Sequence, residues 1–62
     1  MDLKELQEIY DETAMIFDIA DQKFHEYKKV NPEKARKFVR ISRKALMANI
    51  DIAQKIFDKC LK

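Results

Sequence analysis

The feature that most constrains this chain is a single helix-breaking pair, Asn31-Pro32, in a sequence of 62 residues with no glycine and one proline. Asn is a strong helix N-cap, Pro is favoured at the first helical position, and the residue before Pro is pushed out of the α region. The absence of glycine and the single proline remove the turn chemistry that a sheet protein needs. We therefore predict an all-α fold with one helix on each side of a turn at residues 30–31.

Apolar and semi-apolar positions before the turn recur at alternating steps of three and four residues, which is the spacing of one helical face. They are Leu3, Leu6, Tyr10, Thr13, Phe17, Ala20, Phe24 and Tyr27. A set with the same spacing follows the turn: Val39, Ser42, Leu46, Asn49, Ala53, Ile56 and Cys60. The pattern predicts helix 1 over about 2–29 and helix 2 over about 32–61. Because the turn is short, the two helices should form an antiparallel hairpin in a single domain.

Both faces are wider than one hairpin can cover. The residues that widen them are Ile9, Ile16 and Val30 in helix 1 and Ala35, Phe38, Ala45, Ile52 and Phe57 in helix 2. A chain this short buries only about 60% of its extended surface when it folds alone, which leaves a monomer marginally stable. We therefore expect self-association of two hairpins into a four-helix bundle. The expected interface residues are Leu6, Tyr10, Phe17, Phe24, Leu46, Asn49 and Ile56.

Asn49 stands in the middle of the apolar positions of helix 2, where an unpaired amide would cost about 1–3 kcal/mol. One interpretation is that it pairs with a second chain and fixes the register and oligomeric state of the bundle. The other is that it lies near a hydrated end of the bundle or is hydrogen-bonded within its own chain. The sequence leaves both interpretations open.

The sequence offers no group of residues suited to catalysis. Its one histidine, His25, has Gln22 rather than an acid three residues before it, so the Glu-x-x-His pattern of di-iron bundles is missing. Asp11, Asp18 and His25 recur every seven residues, but on the face away from the apolar positions, which is typical of solvated side chains. No glycine-rich phosphate loop and no serine or cysteine with a plausible base is present. We expect a protein that is not an enzyme and that needs no cofactor and no metal.

Cysteine usage and hydropathy bear on the compartment. Cys60 is the only cysteine, so no disulfide can form within the chain, and a reducing compartment is the simpler interpretation. Asp18 and Asp21 interrupt the apolar stretch around Met15, so no run approaches the roughly 18 apolar residues of a membrane span. We expect a cytoplasmic protein without a membrane partner.

Charge is divided between the two halves of the chain. Residues 1–27 carry eight carboxylates and two lysines, and residues 28–62 carry eleven basic side chains and three carboxylates, so the net charges are −6 and +8. The bases are densest over residues 28–44, where eight of them meet one acid, Glu33. On a helical wheel the bases of helix 2 lie opposite its apolar positions. Such a block predicts a polyanion-binding face.

The bases near the start of helix 2 are unfavourable for the helix itself. Arg36, Arg40 and Lys44 form an i, i+4, i+8 ladder, and like charges at this spacing repel by a few tenths of a kcal/mol. Lys34 and Lys37 lie close to the positive end of the helix dipole, where acids are preferred. The placement suits phosphate oxygens, which backbone N–H groups and basic side chains bind together at a helix start. The expected nucleic-acid-binding residues are Lys34, Arg36, Lys37, Arg40, Arg43 and Lys44.

Salt bridges to helix 1 could consume part of this charge instead. An antiparallel hairpin places Arg40 near Asp21 and Arg43 near Asp18, and such exposed pairs contribute about 0–1 kcal/mol. Salt bridges to helix 1 can form at residues beside the helix contact, whereas Arg40, at the centre of the outer face, is poorly placed to form one. No aromatic side chain interrupts the basic face, because Phe38 belongs to the core side, so duplex-backbone contact is favoured over stacking on single strands.

The turn and the basic stretch resemble the bacterial linker-histone-like proteins. The segments that carry the resemblance are Asn31-Pro32-Glu33-Lys34-Ala35-Arg36 and Arg40-Ile41-Ser42-Arg43-Lys44-Ala45-Leu46. In that family an acidic amphipathic segment precedes an Asn-containing turn and an Arg-x-Arg-Lys helix. Here the turn is Val30-Asn31 rather than Gly-Asn, the arginines are spaced as Arg40-x-x-Arg43, and the Lys-rich tail of longer members is missing. The resemblance implies a small DNA-associated protein, with Arg36, Arg40, Arg43 and Lys44 as the matching positions.

These observations together predict a small, non-enzymatic homo-oligomer that contacts the phosphate backbone of duplex DNA without base specificity. The alternative is a helical protein–protein interaction module, or a small regulator, that docks on a protein partner. An acidic helix beside a basic one also suits self-recognition, which is a third and purely structural role.

Overall fold

The computed structural model, which describes residues 1–61, consists of two α-helices joined by a short turn. Helix α1 spans Leu3–Tyr27 and helix α2 spans Pro32–Cys60. The helices run side by side in opposite directions in a molecule that measures 49 × 14 × 13 Å. The predicted all-α, two-helix antiparallel hairpin is therefore confirmed.

Each helix begins at a side-chain cap. The Oδ1 atom of Asp2 accepts a hydrogen bond from the backbone N–H of Glu5 at 2.8 Å, and Oδ1 of Asn31 accepts one from the N–H of Lys34 at 3.2 Å. Pro32 occupies the start of α2, where its fixed φ suits the helix and its missing N–H has no partner to lose. These caps satisfy N–H groups that a helix start leaves unpaired.

The turn joins the helices without glycine. Helix α1 ends at Tyr27, two residues before the boundary suggested by the sequence. The N–H of Asn31 donates to the carbonyl of Tyr27 at 2.8 Å and so closes residues 28–31 into a turn. No residue within 1–61 has a positive φ, so the turn does not require the conformational freedom of glycine.

The contact between the helices is thin. The buried residues of the described chain are Leu6, Ala20, Ala35, Ala45 and Ile52. Three of the five are alanines, which let the helices approach closely but remove little apolar area from water. The accessible surface is 5168 Å² for a chain of 7.4 kDa, whereas a compact monomer of that mass exposes about 4,200 Å². The hairpin therefore leaves much of its apolar surface uncovered.

The side of α2 that meets α1 is rotated from the predicted one. The buried and half-buried residues that line it at steps of three and four are Ala35, Phe38, Ser42, Ala45, Asn49, Ile52 and Ile56. Leu46 and Cys60, which belong to the predicted set, are exposed. The cause is side-chain size, because Ala35 and Ala45 allow a closer approach than Leu46 would. Helix α1 keeps most of its predicted face, with Leu6 and Ala20 buried against α2, but Leu3 and Tyr10 of the predicted set are exposed.

Neither α1 nor α2, within the part of the chain described here, is both long enough and apolar enough to cross a bilayer.

Candidate functional site

Helix α2 carries a row of basic side chains on the side turned away from α1. Arg36, Lys37, Arg40, Arg43 and Lys44 are all exposed. At about 100° per residue, Arg40 lies opposite the contact with α1 and the other four lie on either side of it. We call these five residues the basic surface.

No carboxylate neutralises the basic surface within residues 1–61. The salt bridges there join Lys23 to Glu26, His25 to Asp21 and Lys55 to Asp51, each pair within one helix. The pairs that the hairpin could have formed, Arg43 with Asp18 and Arg40 with Asp21, are not present among them. The basic surface therefore keeps its charge available to a ligand.

Lys34, the sixth predicted residue, is placed differently from the other five. Its Nζ lies 4.6 Å from the centroid of the Tyr27 ring, which is a cation–π distance. The same ring stacks on Phe38, with centroids 5.8 Å apart and planes inclined by 8°. Sequence reasoning missed this cluster, although aromatic residues on both sides of the turn were a signal for it. Lys34 thus helps to join the helices beside the turn as well as carrying charge.

The two helices have opposite net charges. Helix α1 contains seven carboxylates and two lysines, and α2 contains eight basic side chains and three carboxylates, which gives −5 and +5. Because the helices lie side by side, the hairpin has an acidic edge and a basic edge. A polyanion is attracted to the α2 edge and repelled by the α1 edge.

One face of the hairpin carries large apolar side chains beside a shallow groove. The groove, of about 380 Å³, is lined by Gln7, Tyr10, Asp11, Ala53 and Ile56. On α2, Leu46 and Ile50 lie seven and three residues before Ala53, and Phe57 lies four residues after it. All three therefore lie on the same side of the helix as Ala53. Tyr10, Leu46, Ile50 and Phe57 are 39%, 43%, 59% and 58% exposed. We call these four residues the tyrosine face.

The opposite face of the hairpin has a smaller apolar groove of about 210 Å³. It is lined by Ile16, Ile19, Ala20, Phe38 and Ile41. Ile16, Ile19 and Ile41 are exposed, and we call these three residues the isoleucine face. On α2 this face is bordered by Lys37 and Lys44, which lie four residues before and three residues after Ile41. The isoleucine face therefore adjoins the basic surface.

The residues predicted to lie between chains occupy three environments. Leu6 is 2% exposed and is used entirely within the hairpin. Phe17, Phe24 and Ile56 are half-buried between the helices. The members of the set that remain exposed are Tyr10 and Leu46, both on the tyrosine face. The remaining member, Asn49, is half-buried.

Asn49 joins the two helices by hydrogen bonds. Its Nδ2 donates to the carbonyl oxygen of Tyr10 at 3.0 Å and to Oγ1 of Thr13 at 2.9 Å. The hydroxyl of Thr13 lies 3.0 Å from the carbonyl oxygens of both Ile9 and Tyr10, so it donates to the backbone of its own helix. Of the two interpretations that the sequence left open, the structure shows hydrogen bonding within the chain. The bonds fix which residues of α1 and α2 lie at the same level along the hairpin.

The described residues do not converge on a metal site. No group of three His, Cys, Asp or Glu side chains within residues 1–61 is arranged to hold a metal ion. His25 lies beside Asp21, with Nε2 and Oδ2 3.7 Å apart, and Cys60 is exposed near the end of α2. Within residues 1–61, the features best suited to recognition are the charge of α2 and the two apolar faces.

Comparison of the chain with protein-family models, with curated proteins and with solved structures found no match.

Proposed function

We propose that this is a small, non-enzymatic DNA-associated protein whose α2 helix contacts the phosphate backbone of duplex DNA. The observation that carries the proposal is the basic surface, whose five side chains are exposed and form no salt bridge within residues 1–61. Lysines and arginines that are free in the unbound protein can neutralise phosphates and release counterions without first breaking ion pairs. The resemblance of Arg36, Arg40, Arg43 and Lys44 to positions of the bacterial linker-histone-like proteins points the same way.

The composition of the basic surface favours binding without base specificity. Arg36, Arg40 and Lys44 follow one another along a straight helix, over a length of about 12 Å. The nearest aromatic ring on α2, Phe38, is half-buried and stacked on Tyr27, so it is not free to stack on a base. Contacts of this kind position a protein on the duplex but carry little sequence information.

The second part of the proposal is that two hairpins associate as a four-helix bundle. It is supported by the thin core, in which alanines make up three of five buried residues. It is also supported by an accessible surface of 5168 Å², which is roughly 1,000 Å² more than a compact monomer of this mass exposes. A dimer would also double the number of basic surfaces available to DNA.

Titration of labelled duplex DNA at several salt concentrations tests DNA binding. If a dimer meets about six phosphates, the logarithm of affinity should fall with the logarithm of salt at a slope of roughly −5, with little preference among sequences. The double variant Arg40→Glu/Lys44→Glu should abolish binding without unfolding the protein, because both residues are exposed and opposite or nearly opposite the helix contact. Absence of binding by the unaltered protein at low ionic strength would refute the proposal.

A matched control comes from the other end of α2. Lys55 and Lys59 are also exposed on that helix, and Lys55→Glu/Lys59→Glu changes the net charge by the same amount. We expect this control to weaken binding only slightly, in the way that general charge does. Equal loss of binding in the two double variants would indicate attraction by net charge rather than by the basic surface.

The second candidate function is a helical interaction module that docks on a protein partner. The observation that favours it is the isoleucine face, where Ile16, Ile19 and Ile41 expose apolar surface around a groove. Contiguous apolar surface of this kind commonly marks a protein contact site. If duplex DNA is not bound, this function accounts better for the molecule.

A further inference from the structure

We infer that the tyrosine face pairs with the same face of a second copy, with both turns at the same end of the dimer. In that arrangement the acidic α1 of each chain lies against the basic α2 of the other. The inference rests on the four-helix assembly proposed above. It adds the face that is used, the orientation of the two hairpins and the charged contact that selects the orientation.

The tyrosine face is the better of the two apolar faces for a second copy. It has two aromatic residues, Tyr10 and Phe57, together with Leu46 and Ile50, and aromatic side chains are enriched at the centres of protein interfaces. A partner on the isoleucine face would instead cover the side of α2 that carries Lys37 and Lys44. Pairing through the tyrosine face leaves those lysines accessible to phosphates.

The amount of uncovered surface suits a dimer. A standard stable interface removes about 800 Å² from each partner. The chain exposes 5168 Å², which exceeds the value for a compact monomer of its mass by roughly 1,000 Å². One partner that covers one long face of the hairpin therefore accounts for the excess accessible surface.

Charge selects the orientation of the two hairpins. A two-fold axis parallel to the helices places both turns at one end and lays α1 of each chain over α2 of the other. A two-fold axis across the helices places the turns at opposite ends and lays each helix over its own copy. Because α1 carries −5 and α2 carries +5, the first arrangement opposes unlike charges and the second opposes like charges.

A specific pair of residues follows from this orientation. The bonds from Asn49 to Tyr10 and Thr13 set the level of the two helices, and by that register Asp18 lies level with Arg43. Both are exposed. Asp18 lies seven residues after Asp11, which lines the groove, and Arg43 lies seven residues before Ile50, so both are on the side of the tyrosine face. No salt bridge joins them within residues 1–61. When both turns lie at the same end of the dimer, two residues that are level with each other within one chain are also level with each other across the interface. Asp18 then faces Arg43 of the partner subunit, and the symmetry makes two such pairs.

This pairing divides the bases of α2 between two tasks. Arg43 lies at the edge of the tyrosine face and pairs with the partner subunit. The other four residues of the basic surface, Arg36, Lys37, Arg40 and Lys44, stay exposed for phosphates. The DNA-binding variant Arg40→Glu/Lys44→Glu should therefore remain dimeric. Assembly and DNA binding can then be tested with different substitutions.

Sedimentation velocity on Ile50→Asp and Ile19→Asp tests the choice of face. The two isoleucines are a matched pair, 59% and 51% exposed, on opposite faces of the hairpin. A carboxylate buried without a partner is strongly unfavourable, so Ile50→Asp should weaken the dimer by about 100-fold or more. Ile19→Asp should dimerise like the unaltered protein. The reverse result would overturn the assignment of the face.

Mixing two charge variants tests the orientation. Asp18→Arg alone and Arg43→Asp alone each place two like-charged pairs across the homodimer, and each should raise its dissociation constant by roughly tenfold. In a mixture of the two, the heterodimer regains an opposite-charge pair at both positions. We expect it to form preferentially, with an affinity within about threefold of the unaltered protein. Rescue by mixing requires contact between chains, so a pair confined to one chain cannot produce it.

The outcomes separate this inference from the proposals on which it rests. An unaltered protein that sediments as a monomer would overturn the four-helix assembly and this inference together. A dimer in which the mixed variants form no heterodimer would overturn the orientation while the assembly stands. DNA binding is measured independently by the titration with Arg40→Glu/Lys44→Glu.

Discussion

At the scale of single residues, Asn49 explains how a polar group is accommodated in so thin an interface. Its amide N–H groups reach the carbonyl of Tyr10 and the hydroxyl of Thr13 across the helix contact. The Thr13 hydroxyl in turn donates to the backbone of its own helix. The small side chains nearby make room for this bridge, and the bridge holds the two helices at one level. Directional bonds supply a specificity that alanine contacts alone would not.

A double-mutant cycle on Asn49→Ala and Thr13→Val measures this bridge. Asn49→Ala should lower the free energy of unfolding by about 1–2 kcal/mol, because two hydrogen bonds between the helices are lost. The coupling energy between the two sites should be about 0.5–1.5 kcal/mol in chemical denaturation. A coupling near zero would show that the bond between Asn49 and the Thr13 hydroxyl does not contribute to stability.

The variant Asn49→Leu distinguishes the bridge from a role between chains. We expect lower stability, because the leucine cannot replace the bonds to Tyr10 and Thr13. Higher thermal stability with a broader distribution of oligomers, measured by light scattering, would instead indicate that Asn49 sets register across the bundle.

Residue properties were predicted unevenly from the sequence. The capping role of Asn31 and the exposure of Arg40 depend on local chemistry and helical spacing, and the structure shows both. The bonds of Asn49 depend on which α1 residue lies opposite it, so the sequence could only pose the alternatives. The contact of Lys34 with Tyr27 depends on how closely the two helices approach beside the turn, which spacing along one helix does not reveal.

At the scale of the elements, the turn illustrates how few residues are needed to make two helices. Asn31 closes the start of α2 through its side chain, and its N–H closes the end of α1 by bonding to Tyr27. Pro32 prevents α1 from continuing, because it lacks the N–H that a longer helix would use. Asn31 and Pro32 together therefore end one helix and begin the next.

Substitution of Asn31 tests its part in the turn. Asn31→Ala removes the cap on the N–H of Lys34 and should lower the free energy of unfolding by about 1 kcal/mol. Asn31→Asp keeps an acceptor at a helix start that favours negative charge, so it should be neutral or slightly stabilising. Thermal unfolding followed by circular dichroism compares the three proteins. Equal stability of the alanine and aspartate variants would show that the side chain does not act as a cap.

The face of α2 shows where periodicity alone falls short. Two overlapping stripes with the same spacing pass through Ser42, Asn49 and Ile56, and one adds Leu46 where the other adds Ala45. Hydropathy favours the stripe with Leu46, whereas close packing favours the stripe with Ala45. The structure adopts the second. The choice depends on the distance between the helix axes, which the sequence of one helix does not contain.

Ala45→Leu and Ala48→Leu test this packing with a matched pair. Ala45 is 7% exposed at the helix contact, so a leucine there should overpack it and cost about 1–3 kcal/mol of unfolding free energy. Ala48 is exposed on the same helix, and a leucine there should change the stability by less than about 0.5 kcal/mol. Chemical denaturation gives both values. If the two substitutions had the same effect, the close approach at Ala45 would be refuted.

At the scale of the whole molecule, segregation of charge and shortage of core act together. The hairpin has an acidic edge and a basic edge because each helix is dominated by one sign of charge, −5 for α1 and +5 for α2. Its core is small because alanines occupy most of its buried positions. These two properties underlie the proposals that α2 binds a polyanion and that the tyrosine face binds a second copy. The separation of acidic and basic residues could be predicted from the sequence. The tyrosine face could not, because it combines residues of α1 and α2 and depends on how the two helices pack.

The concentration dependence of thermal unfolding tests whether folding and assembly are coupled. If the dimer is the stable form, each tenfold rise in protein concentration adds about 1.4 kcal/mol per mole of dimer to its stability. For a domain of this size, 1 kcal/mol corresponds to a shift in Tm of about 4–8 °C, so the midpoint should rise by several degrees over each decade. The Ile50→Asp variant should unfold at a lower temperature that does not depend on concentration, because its charged side chain prevents pairing. A midpoint of the unaltered protein that is likewise independent of concentration would mean that Leu6, Ile52 and the three buried alanines stabilise the hairpin without a partner.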